Sequence, residues 1–391
     1  MPSPPPRYIL PVIVLAQFAG TSLWFAGNAI LPDLQSDLGL AADAVGAVTS
    51  AVQLGFILGT LLFAFLSIAD RFSPSRVFWV CAWLGALANL GVFLAQGQSL
   101  LLLFRFLVGF FLAGIYPVGM KIASDWYAGK LGTALGWLVG ALVLGTAFPH
   151  GLRGLTSGIS WQGVVVGTSL VAAVGGIAVG IGVGDGPNRK AAAQFNPRVL
   201  LTMFREKKFR AAAFGYFGHM WELYTFWAFV PWLLMPLVSS STSLSVACFA
   251  IIALGSLGCI GGGYGAWRVG SHRVAAGMLI TSGVCCLLAP FVLWQGPVWL
   301  QWALLALWGF AVVGDSPQFS TLAARTAPPE SIGTALTIVN SLGFALTIVS
   351  IQVLNAAQAA YPEATEVLWL LLPGPVLGIW ALRPILRSQS M

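Results

Sequence analysis

Twelve near-continuous apolar segments, each about twenty residues long, constrain this chain more than any other feature. They lie near 8–31, 42–68, 77–95, 99–120, 131–152, 162–183, 211–237, 243–266, 274–293, 298–318, 332–354 and 364–383. A helix of twenty residues, rising ~1.5 Å per residue, crosses a hydrocarbon core ~30 Å thick. A transmembrane barrel would instead show alternating segments of about ten residues. With 58% hydrophobic and 8% charged residues the chain cannot cover a water-facing surface, where about 25% charge is usual. That excludes a soluble enzyme, a disordered chain and a nucleic-acid-binding module. The fold class read here is an all-α membrane protein of twelve transmembrane helices. The first apolar run follows a single arginine, Arg7, and lacks a small-residue cleavage pattern, so it reads as a span and not as a removable signal. The five cysteines sit inside apolar runs without metal-ligand spacing and read as packing residues.

Charge then orients the spans. The long link 184–210 carries Arg189, Lys190, Arg198, Arg205, Lys207, Lys208 and Arg210, which places it in the cytoplasm. With twelve spans, both termini then lie inside. The other inner links hold Arg71, Arg76, Lys121, Lys130, Arg268, Arg273 and Arg325, and the termini add Arg7, Arg383 and Arg387. Only Arg105 and Arg153 of the nineteen basic residues fall elsewhere. The net charge of +7 is therefore mainly topological and does not imply an acidic partner. The expected setting is a cell inner membrane.

The two halves repeat. Gly109, Gly114 and Pro117 recur as Gly309, Gly314 and Pro317 at an offset of 200. The tetrapeptide GTAL at 132–135 recurs at 333–336, and Arg71 and Arg76 recur as Arg268 and Arg273. Corresponding spans run in the same direction, as in a parallel repeat about an axis along the membrane normal. Residues 1–183 and 211–391 thus read as two six-helix halves joined by the basic linker 184–210.

The loop after the second span, ADRFSPSR at 69–76, resembles the signature of the major facilitator superfamily of secondary transporters. Ala69, Asp70, Arg71 and Arg76 carry that resemblance, while Leu66 and Ser73 stand where the family prefers glycine. RFLVGFFLAG at 105–114 resembles the family's fourth span. The resemblance implies two pseudo-symmetric halves that rock around a central site lined by spans one, four, seven and ten. It also implies a gating role for Asp70, Arg71 and Arg76, with Asp70 facing the start of the eleventh span when the cytoplasmic side is shut.

A charge at the centre of a span costs about 2.5–3.5 kcal/mol on insertion scales, so each needs a reason. Three such residues occur, Arg105 on span four, Glu222 on span seven and Asp315 on span ten. Glu222 leads. It lies roughly 17 Å along its span, near the midplane, with Tyr216 and His219 on the same face. Such a Glu and His can trade a proton during transport, or the Glu can serve as an interhelical hydrogen-bond partner. Asp315, roughly 25 Å from the outer end, falls near the cytoplasmic mouth. There it can pair with a base, cap a helix broken at Pro317, or join the proton-handling set. Arg105 can grip a carboxylate or phosphate, or can serve coupling and structure. Tyr216, Trp221, Tyr224, Trp24, Gln17, Asn28 and Asn340 are candidate solute contacts, with interhelical packing the competing role. His150 and Arg153 share a turn at the outer mouth of span five, where they could recruit an anion.

No catalytic or nucleotide-binding motif occurs, and the acids are too few and scattered for a divalent-metal cage. No enzyme activity, cofactor or metal is therefore expected. The partners expected are a small-molecule solute, protons and the lipid bilayer, with the chain acting as a monomer. The leading expectation is a proton-coupled carrier of a small polar or anionic organic solute. A proton-driven exporter of lipophilic drugs or cations is the alternative. Span five, GWLVGALVLGTAFPH, has glycines but lacks the Gly-Pro pair common in such exporters.

Overall fold

A computed structural model describes residues 5–127, 131–156, 159–189, 203–328 and 332–388. Lys130, Lys190, Arg198 and the middle of the 184–210 linker lie outside the described residues. Among those described the secondary structure is helical throughout, with no strand. Ten helices among the described residues are long and apolar enough to cross a membrane. The remaining two spans are the first, broken into Ile9–Thr21 and Ala26–Ala29, and the seventh, the long helix Lys207–Leu234. The result is a multi-pass membrane protein with the twelve-helix architecture expected from the apolar segments.

Three further spans are interrupted where the sequence places glycine, proline or both. The fourth span runs Gln98–Leu112 and restarts at Tyr116–Trp126, with Pro117 in the first turn. The tenth runs Val298–Gly314 and restarts at Ser316–Thr326, with Pro317 in the first turn. Proline suits a first turn because its missing N–H would have had no partner there. The twelfth span opens as a 3₁₀ turn, Thr365–Leu371, before the helix Pro373–Ser388. The other spans are Ala44–Phe65, Pro74–Leu90, Leu131–Leu155, Trp161–Gly182, Ser241–Val269, Ser271–Gln295 and Ile332–Ala360.

The sequence repeat is a repeat of contacts. In the first half, spans two and four approach until a Cβ on Gly109 would strike the Val52 carbonyl oxygen. In the second half, spans eight and ten repeat this with Gly309 and the Ile251 carbonyl oxygen. The pairing of Gly59 with Phe110 recurs likewise as Gly258 with Phe310. Glycine at these positions lets backbones pack where the bilayer provides no hydrophobic drive between helices.

The halves meet along spans two and eleven and along spans five and eight. Ser256 donates to the Gly140 carbonyl at 2.8 Å. Gln352 donates to Ser50 at 2.9 Å and Asn355 to the Asp43 carbonyl at 3.0 Å.

Candidate functional site

Where the halves meet, aromatic side chains fill the centre. Trp24, in the break of span one, lies 4.9 Å from Phe56, 5.5 Å from Tyr224 and 5.5 Å from Phe344, between ring centroids. Tyr224 is also 5.0 Å from Phe344 and 5.1 Å from Trp227. These separations are favourable for aromatic pairs. The residues come from spans one, two, seven and eleven, so the cluster bridges both halves. Trp24 and Tyr224 are 1% and 2% exposed, which makes this an occluded arrangement.

Several buried polar atoms on the same spans have no partner, and Gln17 lies against Gly119 of span four. Both side-chain polar atoms of Gln17 and Gln53 are buried and unpaired, as are the indole N–H groups of Trp24 and Trp227. Asn28 donates to Thr49 at 2.7 Å, but its carbonyl oxygen is unpaired. A buried unmade hydrogen bond costs roughly 1–3 kcal/mol, so the unpaired indole N–H groups of Trp24 and Trp227 within the cluster are suited to a polar solute. Asn340 is half-buried on span eleven, and Tyr216 packs against Gly343 of that span. Trp221 is not at the centre: it packs against Gly374 of span twelve, and its indole donates to the Leu370 carbonyl at 2.8 Å.

The buried charges are partnered differently from the Glu–His arrangement expected from sequence. His219 Nδ1 lies 2.7 Å from Asp315 Oδ1, and both side chains are almost wholly buried. The contact lacks hydrogen-bond alignment, and His219 Nε2 and Asp315 Oδ2 have no partner. Asp315 sits at the break in span ten and is 0% exposed, so it does not open onto a mouth. Glu222 accepts from Trp308 Nε1 at 2.5 Å, Ser282 Oγ at 2.9 Å and Cys286 Sγ at 3.2 Å. His219 and Glu222 do share a face, but one turn of span seven separates them and each meets its own residue of span ten.

This geometry predicts two different mutant phenotypes at Glu222. Glu222→Gln should fold, since its amide oxygen still accepts from Trp308 and its NH2 can donate to Ser282. Glu222→Leu should lose about 1–3 kcal/mol by orphaning the indole N–H. Adding Trp308→Phe should recover part of that loss in thermal unfolding of the detergent-solubilised protein. No recovery would mean that the indole contact is not what the carboxylate contributes.

Arg105 is 0% exposed and is committed to the protein. It donates to the Trp24 carbonyl at 2.6 Å, the Leu23 carbonyl at 3.1 Å and Asn89 Oδ1 at 3.1 Å. Those carbonyls lie in the non-helical break of span one, where helical partners are lost. Asn89 in turn donates to Thr168 and Ser169 of span six, at 3.1 and 3.0 Å. One guanidinium thus organises spans one, three, four and six.

At the basic end of the bundle, Asp70 pairs with Lys121 of span four at 2.8 Å, within its own half. Arg189 donates to the Asp70 and Phe72 carbonyls at 3.0 and 2.9 Å, and Ser73 donates to Asp185 at 2.6 Å. Arg71 and Arg76 are exposed. At the other end, Arg153 bridges Asp33 and the Ala29 carbonyl, at 2.5 and 2.7 Å. His150 is buried, with Nε2 unpaired, and so does not sit open at the mouth.

The sequence reading missed Phe56, Phe344 and Trp227 at the centre, and Lys121 and Arg189 at the basic end. Apolar rings in apolar segments carry no signal of their own. Lys121 was visible only as a topological charge.

Comparison with known proteins points the same way. The chain is 30% identical over 131 residues to the niacin transporter of Acinetobacter baylyi, covering 31% of this chain and 29% of that protein. It is 30% identical over 168 residues to a probable galactarate/D-glucarate transporter of Bacillus subtilis, covering 39% of this chain and 36% of that protein. Each match thus spans about a third of the relative's length. The sequence pattern of the Major Facilitator Superfamily matches residues 13–351, nearly the whole bundle with its paired halves and broken spans, and the chain belongs to that superfamily.

Proposed function

We propose that this protein is a secondary transporter that carries a small organic acid across the membrane by alternating access, coupled to protons. The observation that supports this most is the buried His219–Asp315 pair beside an aromatic centre shared by both halves. A pair that can take up or release a proton without water is suited to coupling, and rings that carry the unpaired indole N–H groups of Trp24 and Trp227 suit a small polar solute. The two relatives are named for niacin and for galactarate or D-glucarate, all carboxylic acids, which favours an organic acid as the solute. With no nucleotide-binding motif in the sequence, the driving force is an ion gradient.

In this reading Trp24, Tyr224, Tyr216, Gln17, Asn28 and Asn340 contact the solute. His219, Asp315 and Glu222 handle the proton. Asp70, held by Lys121, gates the cytoplasmic side with Arg71 and Arg76, while Arg153, engaged by Asp33 and the Ala29 carbonyl, secures the outer end of span five against span one. Both termini face the cytoplasm of a cell inner membrane, and the chain works as a monomer.

Proteoliposomes with an imposed pH gradient and a panel of radiolabelled nicotinate, glucarate and a lipophilic cation test the proposal. Accumulation of a carboxylate that collapses with a protonophore is the expected result. Movement of the cation alone would replace this reading with drug export.

A further inference from the structure

A cavity of about 940 Å³ lies away from the centre, on the outer face of spans seven and twelve, with Leu346 of span eleven at its edge. Its walls are apolar and include Phe214, Phe217, Leu377 and Trp380. Leu377 and Trp380 are 62% and 63% exposed, so the cavity opens to the bilayer and not to the interior. Its only charged lining residues are Lys207, Arg210 and Arg383, at one end. That is the end assigned to the cytoplasm by the distribution of basic residues.

From Lys207 to Trp221 the lining follows one stripe of span seven over fourteen residues, or about 21 Å. One leaflet has a hydrocarbon depth of about 15 Å and a headgroup layer of about 5–8 Å, so the groove matches a single leaflet. At its deep end the Gly218 and Gly374 backbones touch and close the floor, and the Trp221 indole is already bonded to Leu370. The depth of the groove therefore offers no free polar group along that floor, while its mouth offers three cations. Among the described residues none of the three pairs with an acid. Arg210 makes only a long contact, 3.4 Å, to the Phe204 carbonyl.

We propose that this groove is a binding site for an anionic phospholipid of the cytoplasmic leaflet. An acyl chain would lie along Phe214, Phe217 and Leu377, and the phosphate would be held by Lys207, Arg210 and Arg383. Charge complementarity selects the occupant: an uncharged or zwitterionic lipid would fill the apolar part but leave three cations at the headgroup level uncompensated. A basic residue near an anionic membrane surface changes affinity about fivefold, so the three together give a selectivity of up to about a hundredfold.

The test is electron paramagnetic resonance on the full-length protein in phosphatidylcholine bilayers, using chain-labelled phosphatidylglycerol and phosphatidylcholine. The immobilised fraction should favour phosphatidylglycerol. Lys207→Gln/Arg210→Gln/Arg383→Gln should bring the preference close to unity, and Leu377→Trp, which keeps the charges but fills the groove, should also reduce it. Arg268→Gln/Arg273→Gln, on the loop after span eight, should leave it unchanged. If the triple variant does not fold, Leu377→Trp carries the test alone. No preference in the wild type, or one that Leu377→Trp leaves intact, overturns the proposal. So does an equal loss in the loop variant, which would indicate a general surface-charge effect. Displacement of the labelled lipid by millimolar inorganic phosphate would reassign the three bases to a free anion.

Discussion

Asp315→Asn should abolish accumulation driven by a pH gradient while leaving solute exchange nearly intact. The amide keeps the size of the carboxylate, and its oxygen can still face His219 Nδ1 across the 2.7 Å contact. It cannot take up or release a proton over the cycle. With one proton moved per solute, a gradient of one pH unit supports about tenfold accumulation, and the mutant should reach none of it. Exchange of labelled for unlabelled solute across a membrane without a gradient requires no net proton movement, so it should stay within about twofold of wild type. His219→Gln should follow the same pattern, since the pair acts as a unit. Tenfold accumulation in folded Asp315→Asn would remove the pair from coupling. Loss of exchange together with accumulation would make it structural.

The spans, the repeat and the membrane setting were legible because each is a matter of length or period. An apolar run of about twenty residues has few other uses. An offset of 200 between Gly109 and Gly309 survives into space because both press the same backbone position of a neighbouring helix. The site was legible only in part. Sequence gives relative angles around span seven but not which angle faces the other half. Trp221 and Tyr224 therefore looked equivalent, although one packs against span twelve and the other lies at the centre. His219 and Glu222 were correctly placed on one face. Their partners, Asp315 and Trp308, could not be assigned without the packing depth of span ten against span seven. Arg105 was legible as a costly buried charge, but the carbonyls it satisfies exist only because span one breaks after Thr21.

That break makes Arg105 the most sensitive position in the first half. Arg105→Met would leave the Leu23 and Trp24 carbonyls and Asn89 Oδ1 without their donor, all deeply buried. At roughly 1–3 kcal/mol for each buried unmade bond, the loss is of order several kcal/mol, comparable with the whole stability of many domains. Arg105→Lys should fare little better, because a single ammonium cannot span the three acceptors that a planar guanidinium reaches on two of its arms. Both variants should therefore give little monodisperse protein and a clearly lowered unfolding temperature, irrespective of solute. Asn89→Asp offers a sharper check: it keeps an acceptor for Arg105 but removes the donor to Thr168 and Ser169, so it should weaken only the link to span six. A solute-binding arginine would behave otherwise. Arg105→Lys would then fold and unfold like wild type and lose solute affinity alone, and Arg105 would belong with the solute contacts at the centre.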